Sequence, residues 1–227
     1  MFQTLLNVVG LLVAWGLWIW LANRPFSPSF SLTVAIIAPL LSVPFVFLGR
    51  WLLDRHPTIQ RAVQLTTVVH YLIGIPLGAA LIEASRYAQY HTSPPIPNWG
   101  SSLPGWLGLG IMFVSGVMLV LVVFNLALKG LGAPFAVALT RVVATEWLYA
   151  WTRNPMVLSA FAFLLGLGLW LKSSLFILWL LIIVSPAMFL FLHLYEEREL
   201  EIRFREAYLA YKSQTPMFLP FRMRKTP

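Results

Sequence analysis

Met1 to Asn23 contains no charged side chain, and Pro25 to Gly49 contains none either. Such stretches constrain the fold more than any other feature, because a helix needs about 20 consecutive apolar residues to cross a hydrocarbon core of roughly 30 Å. Ala62 to Ile82 repeats the pattern, with His70 the one residue able to carry a positive charge. Tyr87 to Leu128 is also uncharged; its Ser/Pro/Gly-rich portion, Thr92 to Gly105, reads as a loop and leaves a span from about Trp106 to Leu128. Pro155 to Leu171 and Ser173 to Leu194 are parted by little more than Lys172, a spacing that predicts a tight helical hairpin. With 59% hydrophobic and 11% charged residues, lipid is the main solvent of this chain. The expected class is an all-α polytopic membrane protein of about six transmembrane helices, followed by a C-terminal cytoplasmic amphipathic helix.

Lys and Arg concentrate in cytoplasmic loops. With six spans, one set of ends holds Arg50, Arg55, Arg61, Lys129, Arg141, Arg153 and the seven basic residues from Arg198 to Lys225, whereas the other holds only Arg24, Arg86 and Lys172. Thirteen against three places both termini in the cytoplasm. The net charge of +8 is then chiefly a topology signal with some attraction to the anionic headgroups of membrane lipids, and calls for no nucleic-acid partner. Met1 to Asn23 lacks a basic leader and a small-residue cleavage site, so it reads as a retained first helix. Cysteine is absent, which removes disulfides, thiolate nucleophiles and thiolate metal sites. His56, His70, His91 and His193 show no spacing that puts two on one helical face, so no metal is expected. Zero cysteines and an N-terminal span suit a bacterial inner membrane.

Residues 1–105 read as scaffold helices punctuated by Pro28, Pro39, Pro44 and Pro76, with Gly10, Gly16, Gly74 and Gly78 as possible close-packing positions. Residues 106–227 differ, because polar groups sit hard against the ends of spans. Gly130 and Gly132, in Lys129-Gly130-Leu131-Gly132-Ala133-Pro134, let backbone approach a ligand or another segment closely. In Tyr149-Ala150-Trp151-Thr152-Arg153-Asn154-Pro155-Met156, Pro155 suits the first turn of a helix, so Arg153 and Asn154 flank a helix N-terminus whose free N–H groups favour an anion such as a carboxylate. From about Tyr195 a cytoplasmic helix is expected, with Glu196 and Glu197 at its start and Leu200, Phe204, Tyr208 and Tyr211 recurring at spacings of three and four along one face.

In their order and spacing these pieces resemble the isoprenylcysteine carboxyl methyltransferase family and the related phospholipid N-methyltransferases, over roughly Lys129 to Phe221. The resemblance rests on Gly130 to Pro134, Tyr149 to Met156, Tyr195-Glu196-Glu197 with Leu200 and Phe204, and Tyr208, Tyr211, Pro216, Leu219 and Pro220. It implies a helical membrane enzyme whose S-adenosylmethionine lies in a cytoplasmic-side cavity capped by the C-terminal helix. Gly130, Gly132, Tyr149, Arg153, Asn154, Pro155, Glu196 and Glu197 are then the cofactor-binding candidates, Arg153 and Glu197 the catalytic ones, and Trp147, Trp151, Tyr208 and Tyr211 the substrate-side aromatics. Trp147 stands where the family usually has Gly, Val157-Leu158-Ser159 replaces a Tyr-Leu-Gly pattern, and Gln214 replaces an Arg.

Methyl transfer from a sulfonium is an in-line displacement in which alignment matters more than covalent help. The expected activity is therefore methyl transfer to a lipophilic or membrane-delivered acceptor, whether a carboxylate, an amine or a thiol. The alternative is a non-catalytic membrane protein, a transporter or assembly factor, that retains the same fold.

Overall fold

A computed structural model of the chain describes residues 2–90, 102–130, 140 and 142–218. The described residues are helical and contain no strand. α1 spans Phe2–Asn23, α2 Pro28–Arg55, α3 Ile59–Tyr90 and α4 Gly105–Asn125, the last prolonged by a π turn over Leu126–Gly130. A short 3-10 turn, Trp147–Ala150, leads into α5, Pro155–Trp170. α6 runs from Ser174 to Phe204, and α7 covers Glu206–Gln214. Five of these helices are long and apolar enough to cross a bilayer; α5, apolar throughout, has 16 residues and so reaches about 24 Å. The large apolar side chains left on the outside, such as Leu12, Trp15, Ile37, Phe113 and Val120, make a lipid-facing surface of a membrane protein.

Close approach of these helices is arranged by glycines and by prolines that free carbonyls. Tyr71 and Trp18 lie on Gly10 and Gly78 and lock α1 to α3; a Cβ at either glycine would overlap the ring opposite it. Gly16 and Gly74, the other two positions noted for close packing, face open space. Gly108 and Gly166 bring the α4 and α5 backbones into direct contact, with a Cβ at Gly166 falling 2.8 Å from the Gly108 carbonyl oxygen. In α2, Pro39 has no N–H to give the Ala35 carbonyl four residues back. Trp179 of α6 donates its Nε1–H to that carbonyl at 2.8 Å, so the proline break becomes an interhelical hydrogen bond. Below this, Gly49 makes room for the Tyr195 ring, and Val46, Leu53, Val69 and Ile73 pack with Phe191, Leu192 and Ile202. The core thus joins α2 and α3 to α6, with α4 and α5 forming an antiparallel pair beside them.

At one end of the bundle the scaffold holds a charged knot. The fully buried Glu83 receives Arg24 at 2.8 Å, Arg86 at 3.4 Å and the Ser31 hydroxyl at 2.6 Å, while Arg86 Nη2 also donates to the Arg24 carbonyl at 2.6 Å. The expected hairpin between the fifth and sixth apolar runs is present. Lys172, at φ 52°, occupies the left-handed position that ends α5; Ser173 N–H donates to Gly168 O, and Lys172 N–H to Leu169 O, both at 3.0 Å.

One expectation is corrected. No separate helix begins near Tyr195, because the last span continues unbroken to Phe204 through π turns at Leu180–Val184 and Phe191–Glu196. The first π turn lies just before Pro186, whose missing N–H disturbs the ordinary ladder, and Ser185 N–H reaches back five residues to Leu180 O. The helix breaks instead at Arg205, where φ is 47°, so Leu200 and Phe204 belong to α6 and Tyr208 and Tyr211 to α7.

Candidate functional site

A cavity of about 190 Å³ lies at the opposite end from the Glu83 knot. Its floor is the last two turns of α6, with Glu196, Glu197, Glu199, Leu200, Arg203 and Phe204 all reaching it. The π turn at Phe191–Glu196, with Glu197 N–H donating to Leu192 O, sets the register in which adjacent Glu196 and Glu197 both face the cavity. Its walls are Tyr149, Arg153, Asn154, Met156 and Val157 on one side, Thr66 and His70 of α3 on another, and Tyr208 and Tyr211 of α7 above.

Arg153 is held from both ends. Its backbone N–H donates to Pro216 O at 2.9 Å, and both the Thr152 hydroxyl and the Asn154 amide donate to Met217 O, at 2.9 and 3.1 Å. The 152–154 corner is therefore stitched to the strip that follows α7. The Asn154 amide nitrogen is committed to Met217 and no side chain caps α5; Met156 and Val157 in its first turn line the cavity.

Among the described residues the Arg153 guanidinium uses one nitrogen only. Nη1 meets the Glu197 carboxylate and accompanies the Tyr208 hydroxyl at 3.3 Å. Nε is buried with no hydrogen-bond partner, and Nη2 has none among the described residues. A guanidinium edge left unpaired in this way is the donor pair that a carboxylate fills in bidentate fashion.

Glu197 is saturated. Its second oxygen receives Lys212 Nζ at 2.7 Å, and His193 Nδ1 stands 3.8 Å away. Glu199 is likewise paired, with Arg203 at 2.6 Å, and Arg203 also donates to the Thr140 carbonyl. Glu196, between these two, has no hydrogen bond or ion pair among the described residues; it is the unclaimed carboxylate of the cavity. Burial raises the Tyr149 hydroxyl well above the ordinary phenol range, with Glu196 and Tyr211 adding to it. Burial, opposed by Arg153, pushes Tyr208 up to about 12, so both hydroxyls are neutral donors at physiological pH. Burial alone would lower the Lys212 ammonium, but its bonds to Glu197 and Glu201 outweigh that and hold it above the usual lysine range.

Of the residues singled out from sequence, Tyr149, Arg153, Asn154, Glu196, Glu197, Tyr208 and Tyr211 share this one cavity. Tyr211 also donates its hydroxyl to the Tyr149 carbonyl at 2.7 Å. Pro155 is buried at the first position of α5, behind the lining residues. Gly130 ends the π turn after α4, and Gly132 lies outside the described residues. Trp147 and Trp151 point outward, 55% and 69% exposed, and do not line the cavity. Trp147 adopts φ 54°, a left-handed backbone in which glycine carries no Cβ penalty, and a bulky residue there bears about 1–2 kcal/mol of strain.

Sequence reasoning missed Thr66 and did not join His70, an ionisable group at membrane depth, to this site; both reach the cavity from the half read as scaffold. It also missed Arg203 and Lys212, although Glu199 and Arg203 stand at the i,i+4 spacing of a helical ion pair. No family model, no curated protein and no solved structure matches this chain.

Proposed function

We propose that the protein is an S-adenosylmethionine-dependent methyltransferase of the membrane, acting on a lipophilic or membrane-delivered acceptor from a cavity on the cytoplasmic side, with both termini in the cytoplasm. A bacterial inner membrane is the setting we favour. The observation that carries the reading is the half-used guanidinium of Arg153, with its buried unpaired Nε, beside the unclaimed carboxylate of Glu196. Those are the two opposite charges that an amino-acid carboxylate and a pair of ribose hydroxyls require. When bound, S-adenosylmethionine supplies an electrophilic methyl group on a sulfonium. Arg153 and the uncapped start of α5 bind the carboxylate, Glu196 accepts hydroxyl protons, and Tyr149 and Tyr208 present neutral aromatic faces that tolerate a cation. Glu197 and Lys212 position Arg153 rather than touch the ligand.

Calorimetry on the purified full chain in detergent tests this. S-Adenosylhomocysteine is expected to bind the native chain, and Arg153→Ala to weaken it by about ten- to a hundredfold, as loss of a charge-assisted bidentate bond implies. Absence of binding to the native protein would sink the proposal. A second reading has one observation in its favour: Glu197 is saturated by Arg153 and Lys212 and can serve as a purely structural clamp. On that reading the chain keeps the fold without catalysis, as a transporter or assembly factor, and Arg153→Ala lowers stability with no ligand to lose.

A further inference from the structure

The cavity changes character along its depth, and the change bears on the acceptor. Near α7 its lining is charged and hydroxylated; toward the bilayer, Leu126, Val157 and Leu192 take over. Among the described residues, His70 is the polar side chain that stands in that apolar part, at the start of the fourth turn of α3 and about 17 Å from Ile59. His70 Nδ1 lies 2.8 Å from the Thr66 carbonyl oxygen. A carbonyl oxygen can only accept, so Nδ1 carries the proton, and Nε2 of the neutral ring is a lone-pair acceptor. Nε2 has no hydrogen-bond partner among the described residues and is not sealed off as a buried orphan. Phe191 meets the ring edge-on at 5.3 Å, and Thr66 is itself fixed by Tyr195 at 3.2 Å, so the imidazole is held in one orientation. A ring oriented through Nδ1 with Nε2 open is how a protein presents a base.

We infer that His70 Nε2 receives the proton of the methyl acceptor, and that the acceptor is therefore a protic nucleophile, a thiol or an amine on an apolar chain, rather than a carboxylate. The inference rests on the methyltransferase reading above. The acceptor heteroatom forms its bond to the methyl carbon as the carbon–sulfur bond of the sulfonium breaks, the bonding pair stays on sulfur, and the heteroatom's proton passes to Nε2. A carboxylate has no such proton and gives His70 nothing to accept.

Two measurements on the full chain in detergent test the assignment. Diethyl pyrocarbonate acylates unprotonated imidazole nitrogens, and peptide mass spectrometry separates His70 from the exposed His56 and His193. His70 is expected to be acylated, and decanethiol or decylamine to protect it while leaving His56 and His193 unchanged; an unreactive His70, or one that decanoate protects as well, overturns the assignment. In the second, labelled methyl transfer to decanethiol, decylamine and decanoate is compared in native and His70→Gln protein. Transfer to thiol or amine is expected to fall by about a hundredfold or more with S-adenosylhomocysteine affinity kept within twofold. Decanoate as the sole acceptor, or equal rates in the variant, overturns the inference and leaves the methyltransferase reading standing. No S-adenosylhomocysteine binding by native protein overturns both. The labelling experiment uses the unaltered chain, so it decides the matter even where the variant fails to fold.

Discussion

The two buried charge clusters at opposite ends of the bundle are built from the same residue types and differ in how completely they are used. At Glu83, both carboxylate oxygens are claimed by Arg24, Arg86 and Ser31. Around Arg153, the guanidinium keeps a buried nitrogen without a partner, and Glu196 keeps a carboxylate without a partner among the described residues, both at the wall of a cavity. Ionisable groups in a membrane protein are costly unless paired, so the closed cluster reads as fastening, and the incomplete one is where the proposed function places its ligand.

The contrast breaks most directly at Glu83. Glu83→Gln leaves two buried guanidiniums without a counter-charge and is expected to cost about 3–5 kcal/mol, read as a drop in the midpoint of thermal unfolding in detergent. Glu196→Gln is the same change of atoms at the open cluster. Its expected effect is inverse: stability within about 0.5 kcal/mol of native and S-adenosylhomocysteine affinity lower by about tenfold, as for one charge-assisted bond. Equal thermal shifts for the two variants would erase the distinction between the clusters. Arg153→Lys sharpens it further, because a lysine keeps the charge beside Glu197 but has no second edge for a carboxylate; stability should hold while affinity falls severalfold. The smallest effect belongs to pH. A phenol raised from 10 to about 12 in the folded protein contributes stability that is fully present below pH 10 and is lost as pH climbs toward 12, at no more than about 1.4 kcal/mol per pH unit. Lys212, also raised, acts in the same direction. Native protein should thus unfold more readily above pH 10, and Tyr208→Phe should flatten that slope.

The spans were legible because a charge-free run of twenty residues has few other ways to exist, and the turn at Lys172 because a single cation parts two such runs. The Arg153, Asn154 and Glu196, Glu197 pieces were legible as chemistry at span ends, and they meet although 44 residues separate Arg153 from Glu197. What stayed hidden arises from tertiary geometry. Nothing in the order of residues announces that α6 continues past Tyr195 through a π turn, since the residues there, Phe191, Leu192 and Tyr195, take their places by packing on α2 and α3. The break at Arg205 is equally silent, because arginine is an ordinary helix former held there at a positive φ. His70 stands alone as a polar group on its stretch of α3; the closeness of α3 to α6, held by the Thr66–Tyr195 hydrogen bond at 3.2 Å, brings it to the cavity. Trp147 and Trp151 were grouped with the cavity aromatics by proximity in sequence, yet the 3-10 turn aims both outward.

The stitching of residues 152–154 to Pro216 and Met217 also sets a timetable. During synthesis at roughly 5–20 residues per second, the Arg153 corner leaves the ribosome seconds before its partners do. In that interval α1 to α5 can already be threaded into the bilayer, with the guanidinium still hydrated at the surface. The 152–154 corner is consequently among the last parts of the molecule to be completed, and a nascent chain paused before Pro216 would be membrane-inserted with that corner still unassembled.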